Sequence, residues 1–258
     1  MRDWGEMKLS LKGRRALVTG GTTGIGRAIA DAYARAGASV LVCSRTRRAP
    51  APGVRWVRAD VTSERDVEAL GATVGSKLDI LVNNVGGLEE FDRFRTLSLG
   101  QWRSMFEVNL FSAVSVTLRL LPVLLRSRAG RILNIASYTA LEPPARAPHY
   151  NAAKAALVNW TKSLGRDLAP RVTVNALAPG QILTESWEEE AKATAKREGR
   201  PWKSILKEIM QQASRRIPLG RMGRPEDIAP LAVLLASDQG AWTTSACFVV
   251  DGGAMRSV

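Results

Sequence analysis

The chain has 258 residues, of which 45% are hydrophobic, 24% charged and 6% aromatic. That is enough chain to bury a core without disulfide or metal staples, and the ordinary charged fraction excludes disorder and collagen-like repeats. The formal net charge of +13 favours anionic partners such as nucleic acid, a phosphorylated cofactor or an acidic carrier.

Met1-Arg2-Asp3-Trp4-Gly5-Glu6 lacks the apolar core of a secretory signal, and no apolar run approaches the length of a bilayer span. The arginines are scattered and lack the aromatic interleaving of a single-strand binder. Cys43 and Cys247 lie far apart, and neither they nor the single histidine, His149, make a metal-ligand spacing. These features predict a cytoplasmic protein with no metal, no nucleic-acid partner and no membrane association.

Apolar runs and amphipathic stretches then alternate along the chain. Strands are predicted over 16–18, 39–43, 54–57, 79–82, 131–135, 172–176 and 246–250. Helices are predicted over 25–36 (ended by Gly37), 64–75, 99–126, 150–168 and 225–236. Continuous apolar strands separated by helices imply an α/β fold, a Rossmann-like doubly wound sheet of about seven parallel strands. No linker or composition shift divides residues 1–258, which read as one dinucleotide-binding catalytic domain.

Two connections are irregular. Only residues 44–53 separate the second and third strands, and Pro50 and Pro52 block a helix there. Residues 184–224 form a long insertion. In it Pro201 suits a first helical turn, and Trp202, Ile205, Leu206, Ile209 and Met210 then make one apolar face. A more polar helix carrying Glu188, Glu189, Glu190, Lys192 and Lys196 precedes it. The insertion follows the sixth strand, on the ligand-binding side of such sheets, and reads as a substrate lid; a helical pair packed on the core is the alternative.

Thr19-Gly20-Gly21-Thr22-Thr23-Gly24-Ile25-Gly26 follows the first strand and opens the first helix, the context a dinucleotide turn requires. Glycines let the backbone approach a pyrophosphate, and the helix N-terminus offers free N–H groups. At the end of the second strand stand Ser44 and Arg45, followed by Arg47 and Arg48, with no acidic residue. That pattern accepts a ribose 2′-phosphate, so NADP(H) is preferred, with NAD(H) as the other option.

Tyr150 and Lys154 are spaced i,i+4, which puts both on one helix face. A neighbouring ammonium favours the phenolate and lowers the tyrosine pKa. Ser137, just past the fifth strand, could hydrogen-bond the oxygen that Tyr150 protonates.

Together these motifs resemble the short-chain dehydrogenase/reductase family, over roughly residues 11–253 and in the family's order. Thr19-Gly20-x-x-x-Gly24-x-Gly26 is similar to its cofactor turn. Asp60-Val61 resembles the pair that contacts adenine, and Asn83-Asn84-Val85-Gly86 the element that lines the cofactor, with Val85 in place of the usual alanine. Asn109, Ser137, Tyr150 and Lys154 match the catalytic set. Pro179-Gly180-Gln181-Ile182-Leu183-Thr184 resembles the segment that contacts the nicotinamide. Arg224-Pro225-Glu226-Asp227-Ile228-Ala229 and Asp251-Gly252-Gly253 match the C-terminal hallmarks.

The resemblance implies an NAD(P)H-dependent carbonyl reductase or alcohol dehydrogenase. Hydride passes to a carbonyl carbon, Ser137 orients the oxygen, and Tyr150 is the general acid, or the base in the oxidative direction. Lys154 lowers the tyrosine pKa and bonds the nicotinamide ribose, and Asn109 holds a water of the proton relay. Leu88, Tyr138, Leu141, His149, Gln181 and Trp187 flank these motifs and are candidate substrate residues. Arg126, Arg128 and Arg171 stand where reductases of acyl-carrier-protein thioesters carry basic residues, which makes a 3-oxoacyl thioester one candidate substrate and acyl carrier protein one candidate partner. A steroid, a sugar or a similar alcohol, and a non-catalytic cofactor-binding scaffold, are the alternatives. The helices over 99–126 and 150–168 resemble the pair through which the family dimerises, and the C-terminal segment often completes a tetramer, so the chain is expected to be a homo-oligomer, a dimer or a homotetramer.

Overall fold

The computed structural model describes residues 9–48, 50–88 and 92–256. The leading segment over 1–6, assessed above for a signal, lies outside them. Seven strands form one sheet: β1 (Arg15–Thr19), β2 (Ser39–Ser44), β3 (Val54–Arg58), β4 (Ile80–Asn83), β5 (Gly130–Ile135), β6 (Val172–Pro179) and β7 (Cys247–Val250). All neighbours run parallel, in the order β3-β2-β1-β4-β5-β6-β7. The central strands are apolar without alternation because helices cover both faces; Ile80, Leu81 and Val82 are all fully buried.

On one face α1 (Gly24–Arg35) packs with α8 (Pro225–Ala236) through Ile29, Tyr33, Ile228 and Ala232. On the other lie α2 (Glu64–Val74), α4 (Ser112–Leu124) and α5 (Pro148–Asp167), whose Leu70, Leu120 and Leu157 face the sheet. Between β2 and β3 no helix occurs among the described residues, as the two prolines predict.

The third predicted helix needs two corrections. Leu99–Leu124 is one helical rod of 26 residues, long and apolar enough by length and composition to cross a membrane. The expectation that no stretch approaches that length is therefore wrong. Charged Arg103, Glu107 and Arg119 interrupt every local apolar run, but they leave a rod whose Met105, Ala113, Val116, Leu120 and Leu124 are buried at helical spacing in the protein core. The rod is also not uniform. α3 (Leu99–Phe106), started by a Ser98–Gln101 capping box, gives way to a π-helical turn over Glu107–Phe111 before α4. Such turns cluster at functional sites, and this one holds Asn109.

The insertion forms α6 (Glu185–Glu198) and α7 (Trp202–Ser214). Gly199, at φ +66°, ends α6 in a left-handed cap. Pro201 is the cap before α7, with an extended ψ of 127°, rather than part of its first turn. Trp187 and Met210 pack with Ala213, Ile217 and Met222 in a cluster that Leu183 and the C-terminal Ala254 complete. The apolar face of α7 is thus partly inward: Ile205 is buried, while Trp202 and Leu206 are half-buried.

Candidate active site

In a doubly wound sheet the crevice opens where strand order reverses, at the carboxyl ends of β1 and β4. Here the two ends are tied together. The Thr19 hydroxyl accepts from the backbone N–H groups of Asn84 (3.0 Å) and Val85 (3.2 Å), and the Asn84 amide donates to the Thr19 carbonyl at 2.9 Å. Below them the Asn83 amide donates to Asn134 Oδ1 at 2.9 Å and Thr117 Oγ1 at 3.0 Å, and the Asn134 amide to Thr161 Oγ1 at 2.8 Å. Buried amides paired in series hold neighbouring elements in one geometry.

The glycine turn lies at that crevice. A Cβ on Gly26 would stand 2.4 Å from Asn84 Nδ2 and 2.5 Å from the Gly20 carbonyl oxygen, so no larger residue fits. Gly24 adopts φ +50°, a conformation glycine reaches without steric cost. The first intrahelical bond of α1 runs from Arg27 N–H to Thr23 O, which leaves the N–H groups of Gly24, Ile25 and Gly26 without helical acceptors. The Glu185 carboxylate accepts the Gly24 N–H at 3.0 Å, so the turn already receives an oxyanion. A pyrophosphate fits this donor set. Thr22 is buried beside it and Thr23 caps the helix.

At the end of β2 the outcome for Ser44 differs from the sequence expectation. Its hydroxyl donates to Thr46 O at 2.8 Å and accepts from Trp56 Nε1 at 2.9 Å, so it is engaged within the protein rather than free to donate to a phosphate. Arg45 is exposed, and Arg47 lies over the Trp56 ring, 5.7 Å from its centroid. Sequence reasoning missed Trp56; its signal was the pairing of β3 with β2, which sets Trp56 beside Val42. Burial works to raise the Asp60 carboxyl, but bonds from Thr62 and the Arg45 charge outweigh it and hold it below the ordinary value. Val61 beside it is buried.

The four expected catalytic side chains come from three places, the π turn, the end of β5 and α5, and converge. Ser137 follows β5, is 8% exposed, and its hydroxyl hydrogen-bonds the Tyr150 phenol. It also accepts from Thr139 N at 3.2 Å. Tyr150 and Lys154 share a face of α5, with the Lys154 ammonium 5.8 Å from the phenol ring centroid. Asn109 donates to Gly87 O at 2.9 Å and Met105 O at 3.1 Å, and accepts from Gly87 N at 3.0 Å. Gly86 sits between Asn109 and Lys154: a Cβ there would be 2.7 Å from Asn109 Oδ1 and 2.8 Å from Lys154 Nζ. The start of α5 is held by Ala147, which takes the left-handed φ of +54° and donates its N–H to Asp92 O at 2.7 Å. A non-glycine residue in that region stores strain, as functional sites often do.

The electrostatics correct the expected tuning. Burial pushes the Tyr150 phenol above its ordinary value, only partly offset by the Ser137 hydrogen bond. Burial also brings the Lys154 ammonium down to about 8. The net shift of the phenol is therefore upward, against the expected lowering, with burial the largest cause. A desolvated cation is itself disfavoured, and one of its three N–H donors goes to the Ile135 carbonyl.

Pro179 ends β6, and the next residue, Gly180, donates its N–H to Val250 O at 3.0 Å. Ile182 bridges to Gly223, and the Thr184 methyl approaches Gly24. Among the substrate candidates Leu88, Tyr138 and Gln181 are half-buried. Burial raises the Tyr138 phenol, with Arg216, Glu142 and Asp251 nearby. Trp187 is instead an anchor of the insertion, donating its indole N–H to Ile182 O at 2.9 Å. His149 is 2% exposed and lies against Trp102, ring centroids 6.1 Å apart, in a packing role. Leu141 is exposed.

Comparison with known proteins gives concordant matches. The family model described as Enoyl-(Acyl carrier protein) reductase matches residues 20–255. The 3-oxoacyl-[acyl-carrier-protein] reductase FabG of Aquifex aeolicus is 35% identical, over 96% of this chain and 99% of that protein. The Pseudomonas aeruginosa RhlG/NADP active-site complex superposes with a TM-score of 0.84 at 32% identity, covering 96% of this chain and 98% of that one. L-sorbose reductase from Gluconobacter frateurii, in complex with NADPH and L-sorbose, has a TM-score of 0.88 at 30% identity, covering 98% and 100%.

Proposed function

The chain belongs to the short-chain dehydrogenase/reductase family, and from that premise we propose that it reduces a 3-oxoacyl thioester to the secondary alcohol with NADPH. It is an NADP(H)-using oxidoreductase of carbonyl and CH–OH groups. The observation that carries the reading is the meeting of Ser137, Tyr150 and Lys154 past the end of β5, with Asn109 brought beside Lys154 across Gly86. A phenol protonated at neutral pH can give its proton to the oxygen formed in reduction, and its conjugate base can take one in oxidation.

A nicotinamide cofactor, when bound, would supply the hydride. Ser137 donates to the substrate carbonyl oxygen and orients it, and Tyr150 passes its proton to the same oxygen as charge develops there. Lys154 stays anchored on the Ile135 carbonyl beside Gly86, where it would hold the cofactor ribose. Asn109, fixed on Gly87, keeps Gly86 at that distance. The glycine turn would hold the pyrophosphate of a bound cofactor, and Arg45 and Arg48 its 2′-phosphate.

The thioester reading draws on the activity named for the Aquifex relative and on the net charge of +13, which attracts an acidic carrier. Arg128 and Arg171 are neighbours, because Gly130 pairs with Val172. They stand at the amino ends of β5 and β6, about 20 Å of strand from Ser137. We read the assembly as a homo-oligomer, a dimer or a homotetramer; the exposed Leu99, Phe111 and Leu118 on the rod, Trp242 before β7 and Val249 in it support that reading. The free thiols of Cys43 and Cys247 suit a reducing, cytoplasmic location.

The test is absorbance of reduced cofactor with 3-oxoacyl thioesters, simple ketones and ketoses. A kcat/KM highest for the thioesters upholds the reading. A ketose preferred over every thioester overturns the substrate class and leaves the hydride chemistry intact.

A further inference from the structure

α6 touches the cofactor-binding surface at two separated points. At its start the Glu185 carboxylate accepts the Gly24 N–H of the glycine turn at 3.0 Å. One turn on, Glu189 lies 4.0 Å from the Arg48 guanidinium, in the basic loop that follows β2. Glu188 points elsewhere and pairs with Lys192 at 3.8 Å. The Thr184 hydroxyl, expected to face the nicotinamide side, is bonded to Ser186 at 2.8 Å.

A carboxylate and a phosphate want the same thing from a helix N-terminus: an N–H donor and the positive end of the dipole. A single N–H cannot serve both in full. We propose that Glu185 is an internal occupant of the pyrophosphate seat and Glu189 a weaker one on the 2′-phosphate side, so that α6 and NADP(H) compete for these donors. Glu185 is then a residue that sets cofactor affinity without touching the bound cofactor: α6 releases Gly24 before the pyrophosphate takes it. This inference rests on the assignment of the glycine turn to NADP(H).

The experiment measures NADPH and adenosine 2′-monophosphate binding to the full chain by fluorescence or calorimetry, first for the wild type. A wild-type chain that binds neither compound overturns the cofactor assignment itself, before any variant is compared. Glu185→Gln is then expected to lower the NADPH Kd about three- to tenfold, the range of an exposed charge-assisted contact, chiefly through a faster kon. It leaves the Kd of adenosine 2′-monophosphate, which has no pyrophosphate, unchanged. Glu189→Gln tightens both ligands by about twofold. Glu188→Gln removes the same charge from the same helix and is expected to change neither, which separates local competition from the general field. An unchanged or raised NADPH Kd in Glu185→Gln, or an equal gain in Glu188→Gln, overturns the proposal. All three positions are exposed, and a thermal melt without cofactor verifies that each variant is folded.

Discussion

The ε-ammonium of Lys154, on α5, donates to the carbonyl oxygen of Ile135, the last residue of β5, at 2.9 Å. This bond fixes α5 against the sheet and sets Lys154 beside Gly86, but it holds a cation where only 3% of the residue is exposed. The folded value of about 8 lies below the ordinary 10.5. The unfolded chain therefore binds more protons between these two pH values, and stability rises with pH across that window. Below pH 8 the cost is fully present. Lys154→Met removes it, less the lost hydrogen bond. The variant is expected to be more stable than wild type by about 1–3 kcal/mol at pH 7, with the gain gone above pH 10.5, and to be inactive. Urea unfolding at pH 6, 7 and 9 checks this, and a wild type as stable as the variant at pH 7 contradicts it.

Tyr150 is the proton donor in the proposed reaction. Tyr150→Phe is expected to cut kcat about a hundred- to ten-thousand-fold while the NADPH Kd stays within about twofold, because the phenol bonds Ser137 rather than the glycine turn. Turnover at the wild-type rate in this variant would remove Tyr150 from the chemistry.

Arg45 is exposed at the end of β2 and lowers the Asp60 carboxyl through its charge. With Ser44 committed to Thr46 and Trp56, the arginines carry most of the discrimination for the 2′-phosphate. Arg45→Asp is expected to reduce the NADPH-to-NADH preference in kcat/KM by at least about tenfold. A ratio unmoved by the substitution would assign the preference to Arg47 and Arg48 instead.

Phe111 and Leu118 are 50% and 66% exposed, two helical turns apart on the rod. An apolar stripe left in water on a helix is an expected subunit contact. Phe111→Glu combined with Leu118→Glu is expected to shift the light-scattering mass from oligomer to monomer at micromolar protein. A wild-type chain already monomeric at that concentration rules out the assembly.

Local chemistry made much of this protein legible from its sequence. Strand and helix alternation, the glycine turn after β1, the spacing of Tyr150 and Lys154, and the helix blocked by Pro50 and Pro52 all depend on a few consecutive residues. Backbone preference and periodicity act at that range, so these features carry directly into the fold. What tertiary structure alone decided involves burial and partners distant in the chain. Glu185 meets Gly24 across 161 positions. Lys154 finds the Ile135 carbonyl 19 positions away. Gly87 draws Asn109 into a π turn where the sequence reads as unbroken helix. The Tyr150 phenol rises rather than falls because packing strips its water. A residue's hydration and its long-range neighbours are properties of the assembled core, and no stretch of adjacent residues encodes them.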